Sequence, residues 1–147
     1  MAGNSIQVER LDAGKIVTET FHPRLEPYIA IYHGASWCPP CQAFSPHLSE
    51  FYHSANKKNF QLLMMNYDQS EGNMQAYMRQ HNMEFPAAMR GWDVDGWNIT
   101  TGPGIPNLII IETATGKIVS SSYNGGSYVG CDVPLGVLRN IITQGHP

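Results

Sequence analysis

Apolar positions along the chain fall into two rhythms. Tyr28-Ile29-Ala30-Ile31-Tyr32 is a short unbroken run of β-formers, the pattern of a strand buried on both faces. Phe60-Gln61-Leu62-Leu63-Met64-Met65-Asn66-Tyr67 reads as a second central strand, and Asn107-Leu108-Ile109-Ile110-Ile111 as the most strand-like segment of all. Lys15-Ile16-Val17-Thr18-Glu19-Thr20 alternates enough for a short edge strand. Helical spacing appears between these runs. Residues 39 to 56 bring Phe44, Leu48, Phe51, Tyr52 and Ala55 to one side. Pro39 and Pro40 suit a first helical turn, where a backbone N–H has no internal partner. Pro46 lies inside this helix and is expected to kink it. Residues 70 to 81 give a second helix, with Ser70 as its cap and Met74, Tyr77 and Met78 on one face. A final helix near 134 to 143 buries Leu135, Val137, Leu138, Ile141 and Ile142.

Turns and loops complete the pattern. Ala114-Thr115-Gly116-Lys117 reads as a hairpin turn, with a returning strand from Lys117. Residues 86–104, rich in glycine and proline and carrying Trp92 and Trp97, read as a long loop with at most one helical turn. A second glycine-rich loop spans 124–130, and residues 1–13 read as a loosely ordered lead-in. Strand, helix, strand, helix, hairpin, helix is the order of an α/β domain spanning 1–147, with a central mixed sheet flanked by helices on both faces.

Composition narrows the function classes. A chain of 147 residues, 42% hydrophobic and 14% charged with a net charge of −3, fits one domain with a real core. No basic cluster suggests a nucleic-acid surface. The longest apolar runs are too short to cross a bilayer. The opening residues lack the charged start and apolar core of a signal peptide, which leaves cytoplasmic and exported locations both open. Asn98-Ile99-Thr100 fits a glycosylation pattern that is common by chance.

Trp37-Cys38-Pro39-Pro40-Cys41 carries the chemistry. Two cysteines separated by two residues form a candidate reversible disulfide. If Pro39 starts the helix, Cys38 sits at its N-terminus, where the helix dipole and nearby N–H groups favour the thiolate that attacks in disulfide exchange. Cys41, one turn further in, would be more buried and act second. Pro39 and Pro40 would stiffen the link between the sulfurs. The competing reading is half of a zinc site, or a metallochaperone using the same cysteines with a histidine or methionine. No second ligand pair stands out, His33 and His47 being the nearest histidines, and the strand–turn–helix setting favours redox. The methionines read as core filler rather than copper ligands. Three cysteines are too few for a disulfide scaffold, and with Cys38 and Cys41 paired, Cys131 is left over. Its simplest reading is a small buried hydrophobe; a resolving or regulatory thiol is the alternative.

On these residues the chain resembles the thioredoxin superfamily: W-C-x-x-C after a buried strand, Pro46 five residues beyond the second cysteine, and Ile105-Pro106 directly before a strand. Ala35-Ser36-Trp37-Cys38-Pro39-Pro40-Cys41, then Phe44-Ser45-Pro46, Leu48 and Glu50-Phe51-Tyr52, is similar to the tryparedoxin and nucleoredoxin branch. Asn66-Tyr67-Asp68 and Met83-Glu84-Phe85-Pro86 add to that likeness. The resemblance covers about residues 15–120 and implies a thioredoxin fold with a cis-proline at Pro106, a place where base rates alone favour trans. It implies a protein-disulfide oxidoreductase with no bound cofactor beyond its Cys38–Cys41 pair. Expected partners are protein disulfides or dithiols and an external reductant or oxidant, with the enzyme a monomer. Trp37 would cover the disulfide and offer a flat contact surface. The Ile105 backbone would pair with an extended substrate segment. One departure from ordinary thioredoxins matters: they carry a buried aspartate where this chain has Tyr32, as the tryparedoxin-like branch does. That leaves a water, Tyr32 or a carboxylate such as Asp68 to assist the second thiol, and plain core packing is the simpler reading of Tyr32. The Gly91–Gly104 stretch is expected to form a rim beside Cys38 that shapes partner choice, against the alternative of a packed surface loop.

Overall fold

The computed structural model describes residues 5–23, 25–90 and 99–147. The expected loop residues Gly91–Trp97, with Trp92 and Trp97, and Asn98 of the glycosylation pattern lie outside the described residues. So does the start of the lead-in. The rest of the lead-in corrects the expectation: Ile6–Asp12 is strand β1, paired in antiparallel register with β2 (Lys15–Phe21) from Ile6↔Phe21 to Asp12↔Lys15. Ala13 and Gly14 between them both take positive φ, 50° and 84°, the backbone that a tight two-residue hairpin turn requires. Ile6, Val8 and Leu11 are buried, so β1 is held by its neighbours in the sheet and by the core packed on it.

The central strands lie where the apolar runs predict. β3 (Tyr28–Gly34) is buried along its whole length and pairs parallel with β4 (Phe60–Asn66). Between them runs α1 (Pro39–Ser54), with Pro39 and Pro40 at its first positions and Pro46 inside it. α2 (Glu71–Gln80) is capped by Ser70, whose Oγ accepts the Asn73 N–H at 3.1 Å. The segment read as a long loop contains β5 (Ala87–Met89), which pairs parallel with β4 and bridges it to β1 at Glu9↔Ala87. β6 (Asn107–Glu112) pairs antiparallel with β3, and β7 (Ile118–Ser121) returns beside it. The second glycine-rich loop holds a miniature hairpin of β8 (Tyr123–Asn124) and β9 (Ser127–Tyr128). α3 (Asp132–Gln144) closes the chain.

The large sheet has the order β2-β1-β5-β4-β3-β6-β7, mixed in direction, as the α/β class requires. Among the described residues, α1, α2 and α3 pack on one face of it. Buried residues of all three helices join one cluster with Tyr28, Ala30, Tyr32, Leu62, Met64, Leu108 and Ile110. Among the described residues the other cluster contains only strand positions, such as Ile29, Ile31, Leu63, Met65, Ile109 and Ile111, with Tyr67 and Ile99 packed against them. Topology supplies the reason. β3, β4 and β5 step across the sheet in one direction, and right-handed crossovers in one direction place α1 and α2 on the same face. The C-terminal end of β3 therefore delivers the chain straight into α1, and the cysteines sit at that junction.

Candidate active site

The site is built where β3 ends. Gly34 closes the strand because a side chain would not fit: a Cβ there would stand 2.9 Å from the Tyr32 ring. The following turn is fastened by Asp68, just beyond β4. Its carboxylate accepts the Ser36 N–H at 3.1 and 3.2 Å and the Ser36 hydroxyl at 2.5 Å. Asn66 Nδ2 donates to the same carboxylate at 2.9 Å. Gln42 holds the turn from the helix side, donating to the Ser36 carbonyl at 2.9 Å. His81 Nε2 in turn lies 2.6 Å from Gln42 Oε1. Among the described residues the Asp68 side chain bonds to Ser36 and Asn66, which sets it at the turn leading to Cys38.

Cys38 is the N-cap of α1, with extended φ and ψ of −100° and 112°. Pro39 and Pro40 lack N–H groups, so the first backbone N–H of the helix belongs to Cys41. That N–H donates to Cys38 Sγ at 3.3 Å. Cys38 Sγ also reaches the Ile105 carbonyl at 3.6 Å, donating as a thiol. The Ile105–Pro106 bond is cis, as the resemblance implies. Cys38 is 5% exposed and Cys41 is fully buried, and both are free thiols together with Cys131. Burial, then the hydrogen bond with Cys38, pushes the Cys41 thiol well up.

Behind the pair lies a polar network that sequence reasoning missed. Tyr32 Oη is 3.1 Å from Ser45 Oγ, Ser45 bonds closely to the Tyr77 hydroxyl, and Tyr77 donates to the Cys41 carbonyl at 3.3 Å. All three side chains are buried. Burial lifts Tyr32 well above the usual phenol range and pushes Tyr77 up to about 12. Both stay phenols at neutral pH, so Tyr32 packs and hydrogen-bonds. The available signal was that a buried tyrosine almost always has a partner for its hydroxyl.

Trp37 is 61% exposed, and its Nε1 donates to the Tyr67 carbonyl at 3.1 Å, which anchors a flat apolar surface beside Cys38. His33, one residue from Tyr32, turns to the opposite sheet face. Its Nδ1 meets the Tyr67 hydroxyl at 2.8 Å and its Nε2 the Ile99 carbonyl at 2.6 Å. Among the described residues no three His, Cys, Asp or Glu side chains converge as metal ligands. Cys131, at the start of α3, accepts the Ser122 hydroxyl at 3.2 Å and is buried as expected of a small apolar group.

Known proteins are similar to this chain. Residues 26–118 match a family model described as thioredoxin-like. Tryparedoxin of Trypanosoma brucei brucei is 34% identical over 96 residues, covering 63% of this chain and 66% of that protein. Nucleoredoxin of Danio rerio is 30% identical over 117 residues, covering 74% of this chain and 27% of its own. The solved structure of tryparedoxin II from C. fasciculata superimposes with a TM-score of 0.58 at 29% identity, over 80% of this chain and 81% of that one. The chain thus spans less than two thirds of the length of these two curated relatives.

Proposed function

Since the chain belongs to the thioredoxin-like family, we propose that it is a thiol–disulfide oxidoreductase that reduces protein disulfides with Cys38 as nucleophile and Cys41 as the resolving thiol. The observation that carries this reading is the asymmetry of the pair. The one N–H available in the first turn of α1 points at Cys38 Sγ, while Cys41 lies fully buried with its thiol held protonated by burial.

The chemistry balances without a bound group. The Cys38 thiolate attacks one sulfur of a target disulfide; a Cys38–target bond forms, the target S–S bond breaks, and the released sulfur takes up a proton. Cys41 then gives up its proton and attacks Cys38 Sγ, releasing the second target thiol. The target gains two electrons and two protons, and the enzyme is left with a Cys38–Cys41 disulfide. An external dithiol or reductase restores it. Because Cys41 is protonated while Cys38 attacks, the two sulfurs do not compete for the substrate. Trp37 supplies an exposed face on one side of the nucleophile, and the Ile105 backbone is the strand-like edge against which an extended substrate segment lies.

Turnover of insulin disulfides by dithiothreitol tests this reading. The wild-type protein should accelerate it and Cys38→Ser should return it to the uncatalysed background. Stoichiometric bound zinc or copper, with no Cys38-dependent acceleration, would move the assignment to the metal-binding reading of the same cysteines.

A further inference from the structure

The hairpin of β8 and β9 grips the segment that touches Cys38. Gly125 and Gly126 at its tip take φ of 58° and 91°, the two-residue turn that only glycine-like backbone forms without strain. This turn pairs Tyr123 with Tyr128, whose rings meet edge to face at 5.2 Å. The Tyr123 hydroxyl accepts the Gly104 N–H at 2.7 Å. The Tyr128 hydroxyl donates to the Pro106 carbonyl at 2.9 Å. The two hydroxyls therefore hold the backbone on either side of Ile105, whose own carbonyl lies 3.6 Å from Cys38 Sγ. The fit under Tyr123 is tight: a Cβ at Gly102 or Gly104 would come within 2.5 Å of its ring or hydroxyl. From below, Thr101 Oγ1 accepts from Asn107 Nδ2 at 3.1 Å and from Ser121 Oγ at 3.0 Å. Tyr128 is nonetheless 50% exposed, which a tyrosine present only for packing does not need to be.

We propose that Tyr123 and Tyr128 are positioning residues: their hydroxyls fix the Gly104–Pro106 backbone in the shape that accepts an extended protein segment, and the open face of Tyr128 carries that segment. The proposal rests on the disulfide-reductase reading and adds to it a substrate preference. A protein disulfide whose flanking backbone lies along Ile105 uses the grip. A small disulfide that reaches Cys38 alone does not.

Tyr123→Phe and Tyr128→Phe keep the rings and remove only the hydroxyls, and circular dichroism should show both folded as wild type. Wild type and variants, kept reduced by dithiothreitol and corrected for its uncatalysed rate, are compared with insulin and with bis(hydroxyethyl) disulfide. One neutral hydrogen bond corresponds to a change of about three- to tenfold. Each variant should raise KM for insulin by about that factor with little change in kcat, while the rate with the small disulfide falls by less than about twofold. An insulin KM equal to wild type, or equal losses with both disulfides, overturns the positioning role and leaves the reductase reading standing. A wild type without Cys38-dependent turnover overturns both.

Discussion

Cys38 and Cys41 bear the same functional group, and their difference comes from where the helix begins. Two prolines at the first helical positions remove the N–H groups that would otherwise compete, so Cys41 N–H is directed at Cys38 Sγ. The neighbouring tyrosines settle a second question. Tyr32 lies fully buried near the end of β3, and burial keeps it a phenol. Tyr32→Phe should therefore leave the pH profile of kcat/KM unchanged and lower stability by about 0.5–1.5 kcal/mol, the worth of one net hydrogen bond. Ser45→Ala should cost more, about 1–3 kcal/mol, because it leaves two buried hydroxyls without their shared partner. Urea denaturation of both variants checks the order; a larger loss in Tyr32→Phe than in Ser45→Ala would contradict the network. At this scale the cysteines, the cis-proline and the exposed tryptophan were legible, because each belongs to a short motif. Ser45, Tyr77, Tyr123 and Tyr128 were not, because their partners lie tens of residues away and leave no local pattern.

Elements in this protein are legible in proportion to their length and periodicity. β3, β4 and β6 follow from short apolar runs, and α1, α2 and α3 from apolar positions at helical spacing. β5 has three residues and β8 and β9 two each, too short for any alternation to register, so the sheet and the turn create them. β1 was readable in principle: Ile6, Val8 and Leu11 are buried, but Arg10 breaks the strict alternation and only pairing with β2 makes the segment a strand. The turn from β3 into α1 is the element on which chemistry depends most. Asp68→Ala removes three contacts to Ser36 and one to Asn66 and should cost about 2–4 kcal/mol, since bonds to a charged group are worth more than neutral ones. It should also lower kcat/KM for insulin at temperatures where the variant is still folded. An Asp68→Ala protein with wild-type stability and turnover would show that the turn stands without this fastening. Gly34→Ala, which drives a Cβ to 2.9 Å from the Tyr32 ring, should lose about 1–3 kcal/mol by overpacking.

Across the whole molecule, burial of titratable groups sets a pH window for stability. Burial raises Cys41, Cys131, Tyr32, Tyr77 and Tyr128. Above about pH 8.5 the unfolded chain releases these protons first, so the native state binds more of them and stability falls as pH rises. Burial lowers His33 and His81, so below about pH 6.5 the unfolded chain takes up protons that the native state refuses, and stability falls as pH drops. Urea midpoints of the reduced protein should therefore be highest between these limits; a midpoint still rising from about pH 8 to 10 would contradict the buried-thiol and buried-phenol account. The arrangement of the sheet also gives the active-site helix its company: α1, α2 and α3 share one face, which encloses Cys41 while the end of β3 presents Cys38. The division of labour between those two sulfurs is the central claim, and covalent trapping tests it most directly. Cys41→Ser protein, reduced and mixed with insulin, should accumulate a mixed disulfide that peptide mass spectrometry assigns to Cys38, with Cys131 unmodified. No adduct, or an adduct carried by Cys131, would contradict it.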